Sequence, residues 1–191
     1  MTREVNCRAI DILKNHNIGV TQGFIFFDHR MKKQDILDNF EYIKNYSYGL
    51  NLAKLYSRLI VYHGTPLWNE ILQAQEQIQN ASNMYEMIPP FEDSEVERIF
   101  LWVEGTLNWG ISLYNLIETL WYSYYMDPES KVNKMQLEQF ESKIREKMLQ
   151  VMHHAITINE SNKFEPYKEE FIEYVLEKNN VAVSMFRGIF K

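Results

Sequence analysis

Apolar residues along this chain follow two regimes: short continuous runs near the N-terminus, and helical spacing from the middle onward. The runs GFIFF at 23–27 and LIVY at 59–62 are rich in β-branched and aromatic residues. Turn-forming pairs close them, Asp28-His29 and His63-Gly64. Continuous runs of about five such residues suit strands buried on both faces of a parallel sheet. Between them Ile36, Leu37, Phe40 and Ile43 share one face of a helix expected over 34–46. Strand, helix, strand in this order is a βαβ unit, whose crossover is expected to be right-handed.

The pattern extends on both sides. Residues 2–16 predict a helix, with Thr2 as its cap, a stripe of Val5, Ala9, Ile10, Ile12 and Leu13, and Asn15-His16-Asn17 at its end. Residues 18–27 form the first expected strand and 58–62 the second. Residues 50–56 read as a helical turn or a strand, and the pattern does not choose. Gly64-Thr65-Pro66 makes a turn into a helix over 67–80, with a thin stripe of Ile71, Leu72, Ala74 and Ile78. The double proline at 89–90 marks a boundary, since it bars both helix and ladder hydrogen bonding. Ser94 and Glu97 form a capping-box pattern. They open a helical region to 126, weakened at Gly105 and Gly110. Helices over 131–158 and 164–178 follow, the last broken by Asn179-Asn180 before an apolar tail. The expected fold is α/β plus all-α: a partial parallel (βα) barrel segment over 1–80, then a C-terminal helical bundle over 81–191.

Composition narrows the class. Of 191 residues, 46% are hydrophobic and 14% aromatic, enough for a sizeable core and too much for disorder. The net charge of -6 argues against a nucleic-acid binder, which carries a basic face. No apolar run approaches the roughly 20 residues that span a bilayer, and the charged start lacks the apolar core of a secretory signal. One cysteine, Cys7, excludes an intrachain disulfide and fits a reducing compartment. The expectation is a soluble cytoplasmic protein, without nucleic-acid or membrane partners.

The order GFIFFD, then ILDNFEYIKN, then LYSRLIVYHGTPL resembles the C-terminal half of the barrel in cobalamin-dependent radical S-adenosylmethionine enzymes. The residues that match are Gly23, Phe24, Ile25, Phe27, Asp28, Tyr62, Gly64, Thr65, Pro66 and Leu67. The likeness covers about residues 4–72, with a weaker echo at 85–91. It implies that the strand ends face the cofactor, which makes Asp28, Arg58, Tyr62, Gly64 and Thr65 the candidate cofactor-binding residues. S-adenosylmethionine and cobalamin are implied by this resemblance alone. The chain departs from the family in having no CxxxCxxC loop. A thiolate-bound cluster needs about three or four cysteines, and Cys7 alone cannot supply them. The chain is therefore expected to shape the adenosyl and substrate pocket beside an N-terminal radical S-adenosylmethionine half or a partner subunit that holds the cluster. No catalytic residue, metal ligand or cofactor is expected of the isolated chain. The competing expectation is a non-catalytic helical interaction protein that retains a barrel remnant.

Each candidate also has a plainer reading. Asp28 either faces a ligand past the end of a strand or sits in a turn and caps the start of the next helix. Arg58, inside an apolar strand, pairs with an internal carboxylate, holds a ligand anion, or points outward at the strand start. Gly64 and Thr65 either present backbone N–H groups to an anion at a helix start or form a plain turn. Cys7 is most simply a small buried residue. His153 and His154, adjacent on a helix, point about 100° apart and cannot chelate together. The aromatic stretch 102–125 either lines a channel, fills the core or meets a partner. No P-loop, G-x-G-x-x-G or G-x-S-x-G pattern occurs.

Overall fold

The helical spacing of the second half resolves into four helices that pack on one another. The computed structural model describes residues 3–16, 18, 20–74, 85–127 and 129–189. In it α4 (Ser94–Leu107), α5 (Ile111–Met126), α6 (Lys134–Thr157) and α7 (Ser161–Ile189) form the bundle. They follow α1 (Arg3–Asn15), α2 (Lys33–Tyr46) and α3 (Pro66–Ala74). Each bundle helix buries one stripe. On α4 it is Val96, Ile99, Phe100, Val103 and Leu107; on α6 it includes Leu137, Ile144, Met148, Val151 and Ala155. The stripe of α7 is Phe164, Phe171, Val175 and Ala182. These positions recur at three- to four-residue multiples, so one face of each helix stays apolar.

The cap of α4 is Asp93 rather than Ser94. Its Oδ1 accepts from the N–H groups of Glu95 at 2.9 Å and Val96 at 3.4 Å. These bonds hold the Asp93 carboxyl below its usual range, with a contribution from Lys32. The break at Gly110 has an identifiable cause. Tyr114 donates its hydroxyl to the Leu107 carbonyl at 3.0 Å. The Ile111 N–H bonds to Asn108 instead, which tightens Asn108–Gly110 into a 3-10 turn. Gly105, by contrast, sits inside α4 without interrupting it. Asn179-Asn180 does not end α7 either. The stripe continues to a fully buried Ala182 on the same face, and asparagine lowers helix propensity by only about 0.7 kcal/mol.

Among the described residues there is no parallel barrel segment. The described residues hold one two-stranded sheet, in which β1 (Val61–Tyr62) runs antiparallel to β2 (Glu86–Met87). Val61 pairs with Met87, and both pack with Trp68 and Ile71 of α3 in a small separate cluster. Residues 20–26 are extended without being a strand. One parallel bridge, Phe27 to Arg58, is all that joins the two apolar runs. The reason lies in what satisfies the backbone. Ser57 donates its hydroxyl to the Phe24 carbonyl at 2.6 Å, and Asn39 donates to the Phe26 carbonyl at 2.9 Å. The Ser57 carbonyl accepts from both Phe26 and Phe27, at 3.1 and 2.9 Å. Side chains thus replace the ladder. Phe26 and Phe27 are consecutive and both fully buried, because the segment lies against helices rather than within a sheet. A short apolar run carries no periodicity that separates these cases.

Residues 50–56 resolve as the 3-10 helix Leu52–Tyr56, capped by Asn51, which accepts from the Ala53 N–H at 2.8 Å. The expected cap Thr2, Asn17 and the end of the third helix at 75–80 lie outside the described residues. The main apolar cluster takes in Phe26, Phe27, Ile36 and Leu55 together with the stripes of the bundle.

Two glycines should respond differently to alanine. A Cβ on Gly110 would lie 2.2 Å from the Tyr114 hydroxyl oxygen, so Gly110→Ala has to displace a buried ring. Its expected cost is about 1–3 kcal/mol. Gly64 has φ +83 with nothing within 4 Å, so Gly64→Ala meets only the left-handed penalty of about 1 kcal/mol. Urea unfolding of the two variants measures both; a smaller loss at Gly110 would contradict the packing described.

Candidate functional site

The five candidate residues divide between two places. Arg58 is one half of the parallel bridge and Asp28 follows the other, whereas Tyr62, Gly64 and Thr65 form the turn between β1 and α3.

Asp28 organises a tight turn. Its Oδ1 accepts from the Arg30 N–H at 3.0 Å and lies 3.0 Å from Nδ1 of the buried His29. His29 Nδ1 has no hydrogen-bond partner among the described residues, with the Asp28 carboxylate at ion-pair distance. Asp28 does not cap α2. The cap position is Lys32, whose N–H donates to the Asp35 carboxylate at 2.7 Å. Arg30 reaches across to Glu70 on α3 at 2.6 Å, and the His29 carbonyl accepts from the Glu92 N–H at 2.9 Å.

Arg58 points into the protein. Its guanidinium donates to the Pro89 carbonyl and lies over the Phe91 ring, 4.0 Å from the centroid, with Phe100 at 5.2 Å. Burial lowers its pKa, opposed by the attraction of Glu104 and Glu97. Among the described residues no carboxylate lies within ion-pair distance of it. Of the three sequence readings for Arg58, none describes this: it anchors the double-proline segment through a carbonyl and two aromatic faces.

Tyr62 and Thr65 close the third part. Thr65 donates its hydroxyl to the Tyr62 carbonyl at 2.8 Å and accepts from the Trp68 N–H at 3.2 Å. Gly64, at φ +83, turns the chain between them. Thr65 therefore caps α3 itself and uses a donor that an anion would need, which is the plain-turn geometry. The Tyr62 side chain is exposed.

A concavity of ligand size lies elsewhere. A cleft of about 550 Å³ opens between α1, the segment 20–24 and α2. Phe24 and Tyr42 stack along it, with centroids 5.5 Å apart and planes 8° from parallel. None of the five candidates lines it. Compared with protein-family models, curated proteins and solved structures, the chain matches none. Among the described residues no group of three or more His, Cys, Asp or Glu side chains is placed to hold a metal. No helix among them is long and apolar enough to cross a membrane. The sequence reading passed over Gln22, Asp38 and Tyr42. The signal for them was the polar face of the helix at 38, 39 and 42 directly behind an extended aromatic run.

His153 packs at a tilt against Phe40 and His154 stacks on Tyr167, each a packing contact on α6. Cys7 is buried on α1. The 102–125 aromatics divide: Tyr114 is core, Trp102 stacks on Phe164, and Trp109, Tyr122 and Tyr125 stay exposed.

Two predictions follow from these contacts. Arg58→Met removes the bond to Pro89 and the stacking on Phe91 and Phe100, with an expected loss of about 1–2 kcal/mol. Thermal unfolding checks it, and an unchanged midpoint would remove Arg58 from the scaffold. The second concerns Tyr56, which donates to Asn108 Oδ1 at 2.9 Å. Burial, with Glu104 adding to it, raises its pKa from 10.0 to about 12. The folded state disfavours the tyrosinate, so stability present below pH 10.0 is lost as pH rises toward about 12. Buried Tyr114 is raised as well and acts in the same direction. Tyr56→Phe should flatten part of this alkaline slope in urea titrations above pH 10.0, leaving the share from Tyr114.

Proposed function

We propose that this chain is a non-catalytic partner protein that docks to another polypeptide through its extended segment 20–27 and the apolar residues beside it. The observation that carries this reading is the open side of that segment. Gly23 and Ile25 are exposed, and among the described residues their backbone groups have no hydrogen-bond partner. Ile25 is 52% exposed and Ile60, just past the bridge, is 39% exposed. An extended backbone with free N–H and C=O groups beside apolar side chains is a template for pairing with a second chain. The candidate residues support the same reading, since Asp28, Arg58 and Thr65 all serve turns and packing.

One observation favours a narrower, second reading of that partner. The Phe27–Arg58 bridge is parallel and α2 lies between its two sides, in the order that the radical S-adenosylmethionine resemblance implies. On this reading the partner is the cluster-bearing portion of such an enzyme, and S-adenosylmethionine and cobalamin are held there.

The experiment is affinity purification of the tagged chain from its own cells, with Ile25→Lys as the comparison. The exposed position leaves the fold intact, which helix content and melting temperature confirm. The expected result is one polypeptide that wild type retains in stoichiometric amount and Ile25→Lys loses. Equal retention by both chains, or retention of nothing above control, overturns the docking reading. The spectrum of the retained polypeptide separates the second reading: broad iron–sulfur absorbance supports it, and a colourless partner removes it.

A further inference from the structure

The cleft between α1 and α2 has a consistent chemistry. Its apolar wall comes from Ile10 and Leu13 of α1, and its aromatic wall is the stacked pair Phe24 and Tyr42. A volume near 550 Å³ lies within the range of about 300–1,000 Å³ typical of small-molecule sites. Of its polar groups Gln22 is engaged, Asn39 and Asp38 present acceptors, and Asn6 of α1 brings a neutral amide that can donate or accept. Gln22 is saturated: its amide donates to the carbonyls of Tyr46 at 2.9 Å and Tyr48 at 2.5 Å, and its Oε1 accepts from the Tyr42 hydroxyl at 3.4 Å. Those bonds fix the Tyr42 ring. Asn39 spends its amide N–H on the Phe26 carbonyl at 2.9 Å, which leaves Oδ1 as an acceptor. Asp38 brings the one charge of the lining, and no basic residue lines the cleft. Gln34 donates to Asp38 Oδ1 at 3.0 Å, and among the described residues Asp38 has no ion-pair partner.

We infer that this cleft binds a small amphipathic organic cation, an ammonium group on an aromatic or aliphatic body. The ammonium donates to the Asp38 carboxylate and Asn39 Oδ1. Phe24, in the wall formed with Tyr42, attracts the same positive charge, Tyr42 itself being stacked on both Phe24 and Tyr46, and the body rests on Ile10 and Leu13. An anionic ligand meets the Asp38 carboxylate with only neutral amides, such as that of Asn6, to offset it. A neutral ligand gains the apolar wall alone. The cleft shares Gly23 with the docking segment but not Ile25 or Ile60, so Ile25→Lys tests docking without changing the lining and Asp38→Asn tests the cleft without changing the docking residues.

Nuclear magnetic resonance titration of the full chain tests this, with phenethylammonium as the probe and 2-phenylethanol and 3-phenylpropionate as matched neutral and anionic bodies. The expected result is saturable shifts confined to Ile10, Leu13 and the Asn39 side-chain amide, strongest for the ammonium. Asp38→Asn should weaken the ammonium by roughly fivefold, the scale of an exposed charge contact, and leave the alcohol unchanged. Ala9→Trp, which fills the cleft from an exposed position on α1, should abolish both. Absence of saturable shifts overturns the proposal. So does 3-phenylpropionate binding as tightly as the ammonium, unchanged ammonium affinity in Asp38→Asn, or binding that survives Ala9→Trp.

Discussion

Phe27 is the joint on which the N-terminal half hangs. Its ring meets Phe100 edge-on at 5.2 Å and Phe91 at 6.4 Å, while Phe26 packs against it at 4.8 Å. Arg58, bridged to the Phe27 backbone, lies over the same Phe91 ring. One buried aromatic group thus fastens the extended segment, the residues leading into β1 and the double-proline segment to α4. Aromatic contacts of this kind add about 0.5–1.5 kcal/mol per pair beyond the area they bury. They take the place of the ladder hydrogen bonds that a sheet would have supplied.

A second tie fixes the other end of the segment. Arg145 on α6 bonds to Glu141 and donates to the Leu50 carbonyl at 3.0 Å, and Trp121 of α5 donates to Glu141 at 2.6 Å. The loop at 47–51 is therefore held by the bundle. Gly49, at φ +73, faces Val20 so closely that a Cβ would lie 2.2 Å from the Val20 carbonyl oxygen. The Gly49 carbonyl accepts from the Gln22 N–H at 2.9 Å. Bundle, loop and segment are positioned in series, and the wall of the cleft comes last in that series.

How legible each part was depended on whether its stabilising groups are local. The helices were readable because their stripes repeat within the element, as with Val96, Ile99, Phe100 and Val103. The α4–α5 break was readable at Gly110, although its cause, the Tyr114 hydroxyl, is a contact across the turn. The barrel segment was misread because GFIFF looks the same whether a ladder or Ser57 and Asn39 satisfy its backbone. Those two partners lie far along the chain, where no spacing rule points to them. Arg58 was found as a residue in need of a partner, and its partner proved to be a backbone carbonyl and two rings rather than a carboxylate. The cleft was invisible because its walls come from three separate elements.

The close approach of Gly110 and Tyr114 makes the two positions a single unit of inheritance. The tyrosine oxygen occupies the space that any larger residue at 110 would need, and the same oxygen supplies the bond that shapes the turn. Substitutions there are epistatic: a side chain at 110 costs less once the ring at 114 has shortened. Once Tyr114 is gone, the Leu107 carbonyl is free to accept from Ile111 and the 3-10 turn loses its reason to exist. A change at 114 therefore lowers the cost of a change at 110, whereas the reverse order meets the full clash. A continuous helix through this point is the endpoint of that route.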